Sequence, residues 1–425
     1  MCNDPVCNAR IAKLEKENQE LRARLEKIER HLGVRVPPTF VKPETEPTHE
    51  AKPSGRPKGH EGSGRKTPEE IHKHEKLEAV RVCPDCGKPV AFKQNRRRVL
   101  TRLIPGKVEN VEFEIPQAYC NHCKKPVEPA VPNALPNSRF DLTLALWVAC
   151  LRMLGVSVDK VRFLLETDYS LKISSATVIN TAHKLAEFLG EDYEQLRQQL
   201  LKEKHAHGDE TSWRVKGRNY WLWEFISKKI AYFTIRNSRR HDVPEEVMKG
   251  FKGVFSSDFW CAYNVLQCEK QKCWVHLKRE LDKVLKFQHS KEFALFARQL
   301  MQLYYWAKSE RNHGSKTREF AEKRLGALLS ENYSDKNCKR LVKTLSRHQM
   351  ELFTFCARRG LSTNNNHAER GIRPAVVMRK TTFGSQSEKG ANDTAVLMSF
   401  FQTARLQEEN FNSFMQNLID NRLQY

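Results

Sequence analysis

The sequence predicts a multidomain α+β protein: an N-terminal coiled coil, a four-cysteine unit, a helical unit and an α/β core with an all-α insertion. Three observations predict it. An apolar heptad near the N-terminus is followed by a polar stretch, two Cys-x-x-Cys pairs come next, and strand-like and helical segments alternate beyond residue 200. With 425 residues, the chain is too long for one compact core.

The first element is a predicted coiled coil over residues 8–33. Its apolar positions follow one another at steps of three and four, with Asn18 in one core position; they are Ile11, Leu14, Leu21, Leu25, Ile28 and Leu32. A buried Asn at such a position favours paired, parallel helices, so the pattern predicts a homodimer. A single amphipathic helix packed on its own chain is the alternative.

Residues 34–76 form a predicted flexible, basic linker. Pro, Gly, Glu, Lys and Thr dominate it, and it holds too few apolar side chains to offset the entropy of ordering. A Gly-Arg-Pro sequence at residues 55–57 suits a narrow minor groove, but a plain basic tether explains it as well.

Residues 77–130 form a predicted zinc-binding unit. Two pairs of thiolates suit a tetrahedral ion, and strand-like residues between them favour a zinc-ribbon-like hairpin. Free thiols are the alternative. The predicted structural Zn²⁺ ligands are Cys83, Cys86, Cys120 and Cys123.

Residues 138–195 read as helices and resemble a helix-turn-helix. Asp141 or Ser138 can cap the first helix, a second covers 158–165, and Ser174-Ser175 caps a third after a short turn. Any helical bundle has the same pattern. If the unit binds DNA, the candidate contacts are Ser175, Thr177, Asn180 and Lys184.

The predicted catalytic core covers 200–289 and 360–405. Residues 204–209 read as a strand that ends on Asp209, two strands follow at 219–226 and 230–236, and a helix covers 243–249. A strand at 253–257 then ends on Asp258, and a further strand at 272–275 leads into a helix from His276. This order matches a ribonuclease-H-like architecture, in which adjacent strands present acids to one site.

A third acid, Glu369, lies in a basic block with apolar neighbours. Paired divalent cations that assist in-line attack on a phosphodiester need carboxylate ligands, so the three acids predict a site for two Mg²⁺ or Mn²⁺ ions. A surface helix with i,i+4 ion pairs is the alternative for the block. Its basic residues are predicted to hold phosphates; they are Arg370, Arg373, Arg379 and Lys380.

Four sequence blocks resemble the insertion-sequence-sixty-six transposases, a family of bacterial and archaeal DDE enzymes. The blocks are His207-Gly-Asp-Glu-Thr211, Ser257-Asp-Phe-Trp-Cys-Ala-Tyr263, Cys273-Trp-Val-His-Leu-Lys-Arg279, and Asn365 to Pro374 followed by Arg379-Lys380. The resemblance covers about residue 70 to the C-terminus and implies that Asp209, Asp258 and Glu369 are the catalytic acids. His367 stands where the family usually has a small residue.

The resemblance also implies that residues 290–359 are a helical insertion, followed after the core by a C-terminal helix over 406–425. The aromatic run 304–306 in the insertion could stack on an unpaired base, although helix core explains it better. We interpret His276 and Arg279 as near-site or phosphate contacts, with a neutral core histidine as the alternative for His276.

The charge balance predicts a polyanionic partner. There are 73 Lys and Arg against 51 Asp and Glu, a net charge of +22, and phosphate contacts release counterions. The N-terminal residues lack a signal peptide and the longest apolar run, 144–151, is too short to cross a membrane, so we expect a cytoplasmic, nucleoid-associated protein.

Together these features predict a Mg²⁺-dependent transposase that cuts and joins double-stranded DNA at element ends. We expect a homodimer with one protomer per end, and the resemblance adds accessory proteins of the same element as partners. A catalytically silent, transposase-derived DNA-binding protein is the first alternative. A structure-specific nuclease of the same fold is the second.

Overall fold

The structure is a computed structural model. It describes residues 140–287, 290–309 and 314–423, and before them residues 108, 118–120, 125–127, 133, 135, 136 and 138. All of these belong to one unit, Leu103–Tyr425. The predicted coil, the linker, Cys83, Cys86 and Cys123 lie outside the described residues. Cys120 is described only as the last residue of strand β1 (Ala118–Cys120), which pairs antiparallel with β2 (Lys125–Val127).

Within the described residues, four helices precede the main sheet: α1 (Leu142–Met153), α2 (Val158–Tyr169), α3 (Ser175–Phe188) and α4 (Gly190–Leu201). The predicted caps form, since Asp141 accepts a hydrogen bond from the backbone N–H of Leu144 and Ser174 accepts one from that of Thr177. The second helix is longer than predicted. The turn between α2 and α3 spans 170–174, with Ser170 in the left-handed region at φ 53°.

The main sheet has five strands: β3 (His205–Val215), β4 (Arg218–Ile226), β5 (Ala231–Arg236), β6 (Val254–Ser257) and β7 (Glu269–Lys272). Their spatial order is β5-β4-β3-β6-β7. The first three are antiparallel neighbours, whereas β6 runs parallel to β3 and β7 parallel to β6. The protein is therefore mixed α/β, with β3 and β6 as adjacent central strands.

Strand β3 is longer than predicted. Asp209 lies near its middle, so the prediction that Asp209 closes a strand is wrong. The cause is a tight hairpin: Lys216 (φ 49°) and Gly217 (φ 73°) form a two-residue turn with positive φ at both positions, and β3 and β4 pair right up to it. Asp258, by contrast, directly follows β6 as predicted.

The next helices and strands begin and end at other residues than predicted. Helix α5 (Asp242–Val247) precedes β6, β7 ends at Lys272 rather than beginning there, and α6 (Trp274–Phe287) starts before His276. The helix starts early because Trp274, Leu277 and Leu281 form one buried face at helical spacing.

Beyond α6 the chain forms α7 (Lys291–Ser309), α8 (Ser315–Leu329), α9 (Lys336–Arg347) and the short α10 (Thr354–Ala357). They share a core with α6 that is separate from the core on the sheet. The aromatic run divides. Tyr304 is buried and stacks on Trp274 with ring centroids 4.5 Å apart, whereas Tyr305 and Trp306 are exposed.

Four helices follow in the described residues: α11 (Asn366–Gly371), α12 (Arg373–Thr382), α13 (Glu388–Leu406) and α14 (Phe411–Leu423). Residues 395–404 of α13 are all buried. Two hydroxyl groups of α13 also accept hydrogen bonds from the edge strand β5. Ser399 Oγ accepts from the N–H of Phe233 at 2.8 Å, and Thr403 Oγ1 accepts from that of Ala231 at 3.1 Å. Strand β5 therefore presents no open edge there.

None of the helices in the described ranges is both long enough and apolar enough to cross a membrane. The cysteines whose side chains are described all carry free thiols; they are Cys150, Cys261, Cys268, Cys273, Cys338 and Cys356.

Candidate active site

Asp209 and Asp258 come from adjacent parallel strands and lie on the same face of the sheet. The register pairs His205 with Val254 and His207 with Ser256, so Asp209 is in phase with Asp258, two residues beyond Ser256. The two predicted acids are thus brought together by strand pairing, although they lie 49 positions apart in the sequence.

Glu369 reaches the same face on α11, and Asn365 just before this helix anchors it. The Asn365 side-chain amide donates to the carbonyl of Gly208 at 2.8 Å, and its Oδ1 lies 3.0 Å from His207 Nδ1. The backbone N–H of Asn365 contacts Cys273 Sγ at 3.2 Å. Because these bonds tie α11 to β3 and to the start of α6, they hold Glu369 above the strand that carries Asp209.

The three carboxylates are close enough to affect one another. Burial, together with the charges of Glu210, Asp258 and Glu369, raises the pKa of Asp209 to about 7, against a 2.9 Å hydrogen bond from the N–H of Glu210 that lowers it. Burial and like charge both disfavour an ionised carboxylate. A cation among these groups would relieve both effects.

Two contacts fix Asp258, one from a nearby backbone N–H and one from a buried lysine. Its Oδ1 accepts a hydrogen bond from the N–H of Trp260 at 2.8 Å. Lys272, fully buried, donates to the carbonyl of Asp258 at 2.9 Å and to Ser257 Oγ at 3.1 Å, and burial lowers the pKa of this lysine. This contact is not evident from the sequence, because no local pattern distinguishes Lys272 from other strand residues.

Glu369 faces a histidine and an arginine of α6. Its Oε1 lies 3.8 Å from His276 Nε2 and 3.6 Å from Arg279. A hydrogen bond with Cys273 raises the pKa of His276 above its usual value, partly offset by burial. Both residues predicted to be near the site are therefore next to its third acid.

The other predicted phosphate contacts lie around these acids. Arg379 donates to Thr211 Oγ1 at 3.0 Å and to the carbonyl of Ser212 at 2.6 Å, so it is fixed to β3 beyond Asp209. Arg370, Arg373 and Lys380 are exposed along α11 and α12.

A cluster of three histidines lies on the same face. The ring centroids of His205 and His207 are 4.3 Å apart, and those of His207 and His367 are 5.2 Å apart. Burial lowers the pKa of His205 to about 4 and that of His207 to about 3. These side chains are neutral at pH 7 and pack beneath α11, where His367 bonds to the carbonyl of Ser227 at 2.7 Å.

Two further acids flank Asp209, and neither was predicted. Glu210, the next residue, points to the opposite face, where Arg239 donates to it at 2.9 Å and the Tyr263 hydroxyl at 2.7 Å. Glu224 pairs with Asp209 across β3 and β4 and is fully buried. Counting outward from the Lys216-Gly217 turn would have revealed Glu224, because both acids lie seven residues from it.

The donor set suits a divalent cation. Hard ions such as Mg²⁺ prefer carboxylate oxygens. Among the described residues, both oxygens of Glu224 are buried with no hydrogen-bond partner, and buried Glu369 Oε1 has none beyond its longer contacts with His276 and Arg279. Among the side chains that the structure describes, no three His, Cys, Asp or Glu are close enough to hold a metal ion as they stand. Binding therefore requires movement of side chains, and the unpartnered oxygens are those that a cation would satisfy.

Comparison with known proteins bears on this site. The family profile described as "Transposase IS66 family" matches residues 148–393, which include Asp209, Asp258 and Glu369. No curated protein matches the sequence significantly. Because the family match covers more than half of the 425 residues, the chain belongs to the IS66 family of transposases.

Proposed function

We propose that the protein is an active DDE transposase of a prokaryotic insertion sequence, which cleaves DNA strands at the element ends and joins them to target DNA. Asp209, Asp258 and Glu369 are its catalytic acids. The observation that carries the proposal is the convergence of these three carboxylates on one face of the sheet, in surroundings that raise the pKa of Asp209 to about 7.

The sheet supports a ribonuclease-H-like core. Three antiparallel strands are followed by two parallel ones in the order β5-β4-β3-β6-β7. In this order the first and fourth strands of the sheet along the chain, β3 and β6, are neighbours, which brings their acids together. The helices from α7 to α9 form the proposed insertion between this sheet and α11.

The family implies a divalent metal cation, and we propose two Mg²⁺ or Mn²⁺ ions held by the three acids. Asp209 and Asp258 would share the ions, and Glu369 would complete the second site. When bound, the ions supply charge neutralisation at the attacking and leaving oxygens of the phosphodiester. His276 and Arg279 flank Glu369, where the positive charge of Arg279 and the ring N–H of His276 favour a DNA phosphate beside the acids.

The proposed partner is double-stranded DNA. The net charge of +22 supports it, since counterion release drives such binding. Exposed Arg370, Arg373 and Lys380 extend the basic surface from the acids along two helices. A homodimer formed by the N-terminal coil, structural Zn²⁺ at the four cysteines, DNA contacts from α3, help from accessory proteins and association with the nucleoid remain proposals from the sequence.

Strand cleavage and strand transfer by the purified full chain test this proposal, with Mg²⁺ and DNA that carries the element ends. Asp209→Asn, Asp258→Asn and Glu369→Gln should each lower both rates by about a thousandfold or more, because each removes a metal-binding charge. Glu322→Gln, in the separate helical core, is the matched control. End binding without any cleavage by the wild-type protein would instead indicate a silent DNA-binding protein.

A further inference from the structure

Glu224 is the least satisfied acid among the described residues. Its side chain is fully buried, and neither carboxylate oxygen has a hydrogen-bond partner. Burial and the nearby charge of Asp209 raise its pKa well above the ordinary value. An ionised carboxylate buried without a partner is strongly unfavourable. A proton alone does not resolve this, because a protonated carboxyl group still needs an acceptor for its O–H.

The position of Glu224 relates it directly to the catalytic acids. It pairs with Asp209 in the register of β3 and β4, so both side chains project from the same face. Helix α11 covers that face, and Gly371 lies directly against the Glu224 carboxylate: a Cβ added to Gly371 would overlap Glu224 Oε1. Glu224 therefore lies between the strand of Asp209 and the helix of Glu369.

Glu210, by comparison, is an acid of the same sheet with hydrogen-bond donors to both carboxylate oxygens. It is adjacent to Asp209 but points to the other face, where Arg239 and Tyr263 donate to both of its oxygens. The described part of the chain thus provides partners for a buried acid on one face and none for Glu224 on the face with the proposed catalytic acids. A partner from outside the chain would complete the pattern.

We propose that Glu224 is a fourth acid of the cation site and contributes to binding of the divalent ion beside Asp209. This inference rests on the proposed function, since it assumes that Asp209, Asp258 and Glu369 hold the ion. The unpartnered oxygens of Glu224 lie beside Asp209 on β3 and against Gly371 of α11, and a divalent cation accepts carboxylate oxygens without a hydrogen-bond donor. Glu224 is then a metal-binding residue rather than a packing residue.

Mn²⁺ binding to the full-length protein tests the inference, measured by electron paramagnetic resonance of the free ion. Glu224→Gln keeps the shape of the side chain and should weaken Mn²⁺ binding by about tenfold or more, while Glu210→Gln should stay within roughly threefold of wild type. Glu210→Gln is the matched control, because it removes an equal charge next to Asp209 on the opposite face. Asp209→Asn should weaken binding at least as much as Glu224→Gln.

Melting temperatures give a second readout that does not depend on activity. In EDTA, Glu224→Gln should melt at or above the wild-type temperature, because it removes a buried carboxyl group whose ionised form has no partner among the described residues. Addition of Mg²⁺ should raise the melting temperature of the wild type by more than it raises that of the variant. This pair of shifts also shows that the variant is folded.

Three outcomes would overturn the inference. The first is wild-type Mn²⁺ affinity in Glu224→Gln with weakened binding in Asp209→Asn, which leaves the proposed function intact. The second is equal weakening in Glu224→Gln and Glu210→Gln, which indicates a general charge effect. The third is unchanged affinity in Asp209→Asn, which removes the proposed metal site together with the inference.

Discussion

The two faces of the sheet at Asp209 differ in whether their buried acids have hydrogen-bond partners. On one face Glu210 is bonded by Tyr263 and by Arg239, whose guanidinium lies between the rings of Trp221 and Trp260 at 4.4 and 4.0 Å. On the other face Asp209 lies close enough to Asp258 and Glu369 for their charges to raise its pKa, and among the described residues neither oxygen of Glu224 beside it has a hydrogen-bond partner. The acid on the first face is fully bonded, whereas burial and like charge disfavour ionised acids on the second, an effect that a bound cation would relieve.

On the face that carries Glu210, the stability of the fold should depend on Arg239. Arg239→Met leaves Glu210 buried without its cation, so we expect a loss of about 3 kcal/mol in the free energy of unfolding, measured by urea denaturation. Glu210→Gln added to Arg239→Met should restore part of that loss. Stability equal to wild type in the single variant would show that the Glu210 contact is not structural.

On the face that carries Glu224, stability and metal binding should depend on the absence of a side chain at Gly371. Gly371→Ala forces a Cβ against Glu224 Oε1 and within 2.7 Å of Ile226 Cδ1, so we expect a loss of about 2 kcal/mol in unfolding free energy and weaker Mn²⁺ binding. Gly190→Ala is the control, because nothing lies within 4 Å of an added Cβ there. Gly371→Ala with stability and Mn²⁺ affinity like Gly190→Ala would contradict the packing described for α11.

The histidines beneath α11 should make the protein sensitive to acid. His205 has its pKa lowered from 6.5 to about 4, so below pH 6.5 the unfolded chain takes up a proton that the folded protein does not. Stability present above pH 6.5 is therefore lost progressively as the pH falls toward 4. His205→Gln should reduce the loss between pH 8 and pH 5 by about 1.5 kcal/mol.

Thermal melts or urea denaturation across that range measure this effect. His241→Gln, which changes an exposed histidine, should leave the pH profile as it is in wild type. The explanation would be wrong if His205→Gln lost as much stability as wild type between pH 8 and pH 5.

Local patterns predicted much of the fold. The strand that precedes Asp258, the caps at Asp141 and Ser174, and the strands on either side of residues 227–230 follow from short-range rules of alternation and hydrogen bonding. The family blocks pointed to the three acids that the structure brings onto one face.

The errors at β3 have a specific cause. The strand was predicted to end at Asp209 because the Lys216-Gly217 turn was not recognised, and Glu224 was missed as a consequence. Gly after Lys is a weaker hairpin signal than Gly after Asn or Asp.

Other contacts could not be derived from local patterns. Asn365 bonds to Gly208, 157 positions earlier in the chain, and Lys272 bonds to the backbone of Asp258 from a neighbouring strand. Their partners are set by how α11 and β7 dock, which depends on the tertiary fold rather than on nearby residues.

The central claim is that the clustered acids bind the metal that cuts DNA, and a metal-specificity switch at Asp258 tests it most directly. A thiolate binds Mg²⁺ poorly and accepts the softer Mn²⁺ better. We predict that Asp258→Cys cleaves element ends in Mn²⁺ but not in Mg²⁺, while Asp258→Asn is inactive in both. Cleavage at the wild-type rate by either variant in Mg²⁺ would contradict the claim.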